Sequence, residues 1–269
     1  MANSRLAPSF LPATAVLELT YRCNHRCLFC SCPWEAEDGA FERRAELSTA
    51  EWKTVISKVA GMGAANLSFS GGEPLMREDC FALIEHALGC TVEHIETRDG
   101  ALQSHFGPPK VYLLSNGRAV DESVLAFCQE HDVQLSMSLP GLEALHAHTG
   151  YDSADHVLAQ FSAAKKRGMR TVVNVTVTKR NLPELRETIS AAFLAGSSQL
   201  LLNRFLPGGR GLKYREELML SAAEIGEMLN IAEDVLVEAR AFGSVGAEIP
   251  RCLVPQREFK QLAIGTRCA

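Results

Sequence analysis

The chain has 269 residues, of which 46% are hydrophobic, enough for the core of one α/β barrel domain or two small domains. Lys and Arg number 27 against 32 Asp and Glu, a net charge of -5 without a basic stripe, which argues against nucleic acid as a partner. Pro8 and Pro12 interrupt the N-terminal apolar residues, and no later run approaches the roughly 18 apolar residues of a membrane span. We therefore expect a cytoplasmic protein that binds no membrane.

Short β-type runs alternate along the chain with longer helical runs. Predicted strands cover 15–20, 66–70, 111–116, 134–139, 170–178 and 199–205. Predicted helices cover 49–61, 79–89, 121–131, 153–167, 183–195 and 221–242. Ser48 and Glu51 form a capping box at the first helix. Six β-α units predict a parallel sheet with right-handed crossovers, either an open partial barrel or a doubly wound sheet.

Polar and apolar residues alternate within four of these strands. Val173, Val175 and Val177, for example, alternate with Asn174 and Thr176. Strands of a doubly wound sheet are covered on both faces and read as nearly continuous apolar runs, so the alternation disfavours that fold. A half-exposed antiparallel sheet is the other alternative, which the intervening helices disfavour. We predict an α/β fold: a partial (β/α)6 TIM-like barrel with a polar lumen, followed by the start of a small cysteine-bearing extension.

The stretch TYRCNHRCLFCSC, residues 20–32, follows the first strand and therefore lies at the C-terminal mouth of the sheet. Cys23, Cys27 and Cys30 have the spacing C-x3-C-x2-C, which lets one loop hold an iron-sulfur cluster and leave one iron open. Cys32 is interpreted as a loop thiol. Zinc is the alternative, although structural zinc usually takes a second Cys or His pair. By the same reasoning the polar stretch 91–110 lies at the opposite end and is given no catalytic role.

With Phe29 in its aromatic position, the cysteine motif resembles the signature of radical S-adenosylmethionine (radical SAM) enzymes. Ser70 to Pro74, SGGEP, is similar to a second element of that family. The resemblance implies one 4Fe-4S cluster on Cys23, Cys27 and Cys30, whose open iron binds S-adenosylmethionine. It further implies reductive cleavage of that cofactor to a 5'-deoxyadenosyl radical, which abstracts hydrogen from substrate. The residues expected to contact the cofactor are Phe29, Gly71, Gly72, Glu73, Pro74, Ser115, Asn116 and Ser138.

Several mouth residues depart from the pattern of the family. Pro140 stands where peptide-modifying members often carry Asp, and an Arg that often follows is absent. Arg204 is therefore a candidate carboxylate receptor, with a structural salt bridge as the equal alternative. His146 and His148 are interpreted as exposed loop histidines. The segment LPGGRGLKY, 206–214, looks like a phosphate cradle but lacks the ending of a P-loop, and is interpreted as a mouth loop that touches substrate.

After Gly243 the alternation of strand and helix patterns ends, and two further cysteines appear. Residues 244–269 resemble the opening of a SPASM extension, in which Cys252 and Cys268 would be the first ligands of an auxiliary 4Fe-4S cluster in a full-length form. A vestigial extension, or two ordinary thiols without a metal, are the alternatives. The expected domains are a lead-in (1–14), the radical SAM partial barrel (15–243) and this incomplete extension (244–269). The remaining cysteines, Cys80, Cys90 and Cys128, do not cluster and are expected to be small buried hydrophobes.

These features predict a radical SAM enzyme of peptide maturation. Its expected substrate is a peptide or protein, and its expected partner is a reductant such as flavodoxin or ferredoxin. Two alternatives stay open: a radical SAM enzyme that acts on a small molecule, and a non-catalytic iron-sulfur or zinc-binding protein.

Overall fold

A computed structural model describes residues 13–37, 39, 41–98, 101–151 and 154–265 of the chain. Its main sheet has eight parallel strands in the order β1-β2-β5-β6-β7-β8-β9-β10. The strands are β1 (Thr14–Glu18), β2 (Asn66–Ser70), β5 (Lys110–Ser115), β6 (Gln134–Ser138), β7 (Thr171–Val177), β8 (Gln199–Arg204), β9 (Phe242–Val245) and β10 (Leu262–Ala263). The predicted partial barrel is confirmed.

Helices cover one face of this curled sheet. They are α1 (Thr49–Gly61), α2 (Cys80–Leu88), α3 (Glu122–Glu130), α4 (Ala144–Thr149), α5 (Ala154–Lys166), α6 (Leu185–Ala195), α7 (Arg215–Leu218) and α8 (Ala222–Ala239). The predicted capping box of Ser48 and Glu51 at α1 is confirmed. None of the helices in the described residues is long and apolar enough to cross a membrane.

Strand β7 shows how the sequence alternation becomes a two-faced sheet. Val173, Val175 and Val177 are fully buried against the helices. Asn174 and Thr176, on the other face of the strand, line a cavity inside the curl of the sheet. The helix-side face therefore forms the apolar core and the inner face is the polar lumen, as the alternation predicts.

Two parts of the fold differ from the sequence interpretation. The polar stretch 91–110, for which no strand was predicted, contains an antiparallel ribbon of β3 (Val92–Arg98) with β4 (Ala101–Gly107). Helix α8 ends at Ala239 because Arg240 takes a left-handed conformation, and the chain then adds β9 to the sheet. The predicted boundary at 243 thus falls within a strand of the main sheet.

A buried guanidinium joins β1 to the starts of α1 and α2. Arg77 donates to both carboxylate oxygens of Asp79, at 2.8 and 2.7 Å, and to the carbonyls of Leu19 and Leu47, each at 3.1 Å. Asp79 also accepts from Thr49 Oγ1 at 2.6 Å. The Arg77 hydrogen bonds lower the pKa of Asp79 to about 2.

We predict that Asp79→Asn destabilises the chain in a pH-dependent way. A depressed folded pKa stabilises the fold above the unfolded value of 3.8, and this contribution is lost as the pH falls toward 2. The free energy of unfolding should therefore drop by about 2 kcal/mol at pH 7, and the deficit should shrink below pH 4. Urea denaturation across that range measures it. Glu258→Gln, in an exposed ion pair with Lys260, is the control, and an equal deficit at all pH values would contradict the prediction.

Candidate functional site at the C-terminal mouth of the sheet

The cysteine-rich loop closes one side of a cavity of about 370 Å³ at the C-terminal ends of the strands. Cys23, Cys27, Cys30 and Cys32 all line it. The opposite wall comes from strand ends and the turns after them: Ser70, Gly71, Gly72, Ser115, Asn116, Ser138, Asn174, Thr176 and Asn203. A larger cavity, about 860 Å³, opens at the other end of the sheet beside His94 and His105, and none of the four loop cysteines lines it. The smaller cavity is therefore the candidate site.

Backbone hydrogen bonds from separate parts of the chain hold this loop. Gly72 N donates to Thr20 O at 2.7 Å, and Glu73 N donates to Arg22 O at 2.8 Å. On the other side, Arg26 N and Leu28 N donate to the carbonyls of Thr149 and His148 at 2.9 and 2.8 Å. The loop thus lies between the turn after β2 and the short helix α4.

The two glycines after β2 are required by this contact. Gly71 has φ +132°, and a Cβ on it would lie 2.7 Å from Thr20 O. A Cβ on Gly72 would lie only 2.2 Å from Arg22 O. The sequence predicts that these glycines contact the cofactor, which stays a prediction. The structure shows that their missing side chains leave room for the backbone of the cysteine loop.

Glu73 lies behind the cavity wall. Its side chain is fully buried and accepts from Ser115 Oγ at 3.0 Å, Asn116 N at 2.7 Å and Leu75 N at 3.2 Å. Burial raises the pKa of Glu73 to about 7, against the opposing effect of these hydrogen bonds. Pro74 is also buried and begins a single 3-10 turn, Pro74–Met76. Neither residue lines the cavity, whereas the other six residues assigned to the cofactor do.

Asn116 links the turn after β5 to the cysteine loop. Its Nδ2 donates to Asn24 Oδ1 at 2.6 Å and lies 3.8 Å from Cys23 Sγ. Arg118 reinforces the link by donating to Asn24 O at 2.6 Å. Asn116 N also donates to the Glu73 carboxylate, so a chain of hydrogen bonds runs from that buried carboxylate through Asn116 to Cys23, the first cysteine of the motif.

The four loop thiols differ in acidity. The hydrogen bond from Cys32 lowers the pKa of Cys30 to about 7 and raises that of Cys32, while burial raises the pKa of Cys27 and of Cys23. Cys32, which is interpreted from the sequence as a loop thiol, lines the cavity together with the other three cysteines, and its Sγ lies 3.9 Å from Gly71 O.

A buried histidine orients the aromatic residue of the cysteine motif. His148 is fully buried, with Nδ1 3.1 Å from Pro140 O and Nε2 3.1 Å from Thr178 Oγ1. Its ring meets Phe29 edge to face at 5.7 Å. The interpretation of His148 as an exposed loop histidine is wrong, because the loop folds into α4 and turns this side chain inward. The spacing of Leu145 and His148, three residues apart in EALHAHT, is the sequence signal that could have predicted a helix with His148 on its buried face.

The remaining candidates lie in different environments. Arg204 lines the cavity, and its buried Nε has no hydrogen-bond partner among the described residues. Cys80 and Cys128 are buried in the core as predicted, and Cys90 is half-buried. Cys252 is exposed in the turn Arg251–Leu253. Cys268 lies outside the described residues, so the auxiliary pair stays a prediction.

Residues 17–192 match the family model of the radical SAM superfamily. The chain belongs to the radical SAM superfamily. It is 32% identical to a PqqA peptide cyclase of Rhodopseudomonas palustris over 80% of its length and 52% of the relative. It is 26% identical to that of Bradyrhizobium diazoefficiens, over 89% of the chain and 59% of the relative. The chain thus spans little more than half the length of these relatives.

Two solved structures share its fold at low sequence identity. SuiB of Streptococcus suis, solved bound to its precursor peptide SuiA, superposes with a TM-score of 0.68 at 14% identity, covering 88% of this chain and 49% of SuiB. The protein anSMEcpe, solved with bound AdoMet, gives a TM-score of 0.63 at 17% identity, covering 86% of this chain and 63% of the other. These likenesses support the partial barrel.

We predict that Gly72→Ala displaces the cysteine loop. The added Cβ would overlap Arg22 O, a backbone atom that moves only with the loop, so we expect destabilisation of about 1–3 kcal/mol together with impaired cluster loading. Gly226→Ala is the control, since a Cβ there, in α8, meets Pro255 at 3.5 Å and alanine favours helix. Urea denaturation and iron content after reconstitution measure both effects. Equal behaviour of the two variants would contradict the prediction.

The raised pKa of Glu73 predicts a second pH dependence, of opposite sign to that of Asp79. A carboxyl whose folded pKa lies above its unfolded value of 4.5 stabilises the fold below pH 4.5, and this contribution is lost as the pH rises to about 7. Its loss should lower the free energy of unfolding by about 3 kcal/mol across that range. The slope should be absent in Glu73→Gln, and carbon NMR of the labelled metal-free protein reads the titration directly. A midpoint near 4.5 would refute it.

Proposed function

We propose that this chain is the catalytic portion of a radical SAM enzyme that abstracts hydrogen from a peptide or protein substrate during peptide maturation. The observation that carries the proposal is the shared cavity, in which three thiols with the C-x3-C-x2-C spacing face the Gly71-Gly72 turn at the mouth of a partial barrel. Family membership and the PqqA peptide cyclases among the relatives support it. We place the enzyme in the cytoplasm, with flavodoxin or ferredoxin as reductant.

The cavity has the donor types and the volume for an iron-sulfur cluster and S-adenosylmethionine. Among the described residues, no three His, Cys, Asp or Glu side chains are already arranged to hold a metal ion, so the thiols would have to converge on the cluster. Cys23, Cys27 and Cys30 supply the thiolate donors that such clusters take, and the cavity volume lies within the range of about 300–1,000 Å³ for small-molecule sites. When bound, the two groups supply one-electron reduction and a carbon radical that abstracts hydrogen. Ser138, Asn174 and Thr176 offer neutral hydrogen-bonding groups from three positions along the wall.

The protein's own contribution is to position the cluster and the cofactor and to enclose them. Phe29, held by His148, fixes the aromatic flank of the cysteine loop. The backbone of Gly71 and Gly72 presents polar groups to the ligand, while Glu73 fixes that strip and the Ser115-Asn116 turn from behind. Trp34 is largely buried and lines the cavity, so it helps to exclude water from the site.

The peptide substrate rests on the relatives. SuiB was solved with a precursor peptide, and the PqqA cyclases are named for a peptide substrate. The assignment of Cys252 and Cys268 to an auxiliary cluster, and of 244–269 to a SPASM-like extension, belongs to the same proposal.

Reductive cleavage of S-adenosylmethionine tests the activity. After anaerobic reconstitution and dithionite reduction, we expect about four irons per chain and formation of 5'-deoxyadenosine, measured by liquid chromatography. Cys27→Ala should abolish the product, because it removes a cluster ligand, whereas the control Cys90→Ala, outside the cavity, should retain it.

Two results would contradict the proposal. One zinc and no iron per chain would make the site structural. A full iron complement without any 5'-deoxyadenosine would exclude the radical chemistry. For the substrate, a short peptide encoded beside this chain should gain a mass change on turnover; modification of a small molecule alone would favour the alternative substrate class.

A further inference from the structure

The glycine-rich segment 206–214 contacts the cysteine loop. Its 3-10 helix, Gly209–Tyr214, lies directly against that loop. A Cβ on Gly209, whose φ is +46°, would lie 2.2 Å from Cys32 O, and one on Gly208 would lie 3.0 Å from Ser31 O. The space that resembles a phosphate cradle in the sequence is therefore filled by the backbone of the loop.

Two groups of this segment bond the carbonyls of cluster-binding cysteines. Gly211 N donates to Cys30 O at 3.0 Å, and Arg210 Nη1 donates to Cys27 O at 3.1 Å. The second and third cysteines of the motif are thus anchored from the end of β8, which lies five strands away from β1 in the sheet. Neither contact is local in the sequence.

Arg210 is itself fixed by an ion pair. Its Nη2 bonds Glu35 Oε2, and the two side chains are 17% and 19% exposed. Glu35 Oε1 accepts from Arg43 Nη2 at 2.9 Å, and the same nitrogen donates to Trp34 O at 3.1 Å. A partly buried ion pair held by further hydrogen bonds is screened less by water and salt than an exposed one.

Both charges of this ion pair lie beside the cluster-binding cysteines. The Arg210 guanidinium donates to Cys27 O at 3.1 Å, and Arg210 and Glu35 line the same cavity as Cys27 and Cys30. Reduction of a cluster adds negative charge, and its potential depends on nearby charge, hydrogen bonding and exposure. A fixed cation beside the loop should therefore make reduction easier, and the neighbouring carboxylate should make it harder.

We propose that Arg210 is a positioning residue for the iron-sulfur cluster: its guanidinium holds the Cys27–Cys30 segment in place, and the Arg210–Glu35 pair sets the reduction potential. This inference rests on the proposed function, since it requires that the loop bind a cluster. It assigns the segment 206–214 to support of the cluster loop.

Two substitutions of Arg210 separate position from charge. Arg210→Lys keeps the charge but loses the planar fork, and Arg210→Gln loses both. Both variants should release iron to a chelator faster than the wild type, by about tenfold or more. Only Arg210→Gln should shift the midpoint potential of the reconstituted cluster to more negative values, measured by a redox titration followed by electron paramagnetic resonance.

Glu35→Gln supplies an independent variant with the opposite sign. It removes the negative partner and should shift the potential to more positive values. Arg186→Gln is the matched control, because its exposed ion pair with Glu238 lies outside the cavity, and it should change neither quantity. If Arg210→Gln does not fold, the Glu35→Gln shift still tests the charge effect.

Three outcomes would overturn the inference: wild-type iron release in Arg210→Gln, equal potential shifts in Arg210→Lys and Arg210→Gln, or a Glu35→Gln potential equal to that of the wild type. A wild-type protein that takes up no iron would instead refute the proposed function. The two failures are therefore distinguishable.

Discussion

The position of the cysteine loop depends on backbone hydrogen bonds between the loop and other parts of the chain. Residues 20–32 have no regular secondary structure of their own, yet their carbonyls and amides are bonded by the turn after β2, by α4 and by the segment after β8. Each bond has a modest net value of about 1 kcal/mol, and leaving a buried partner unsatisfied costs more. The loop is thus fixed only when three distant parts of the sheet are assembled.

The close packing of the cysteine loop explains why three positions beside it are glycine. Gly71, Gly72 and Gly209 each lie where a Cβ would overlap a carbonyl of the 20–32 region. Motifs that look ligand-binding in the sequence therefore have a second reason in the structure, since the same close approach that could admit a ligand admits the neighbouring backbone. The two reasons are compatible for Gly71 and Gly72, which also line the cavity, whereas at Gly209 the loop fills the space.

Local patterns in the sequence predicted the fold and the centre of the site. The alternation of polar and apolar residues in the strands predicted the polar lumen. The position of Cys23, Cys27 and Cys30 directly after β1 predicted that they lie at the C-terminal mouth of the sheet. Long-range contacts were beyond such patterns: His148 is inward because of Pro140 and Thr178, and Arg210 reaches Cys27 across 183 positions of sequence. The strand β9, Phe242–Val245, was missed because the helix predicted over 221–242 covers its first residue, and β10, Leu262–Ala263, was missed because two residues are too few to show an alternation.

The distribution of charge around the cavity follows from the same architecture. Its inner wall consists mostly of neutral amides and hydroxyls, such as Asn174 and Thr176, whereas the charges of Glu73 and Arg77 are held outside it by several hydrogen bonds each. An unpaired charge in a partly buried wall would carry a desolvation cost and would compete for the ligand. The Arg210–Glu35 pair lines the wall, but each charge has its partner there. Most of the wall is therefore neutral or carries paired charges, and Arg204, whose buried Nε has no hydrogen-bond partner among the described residues, is the exception and could meet a negatively charged group of the ligand.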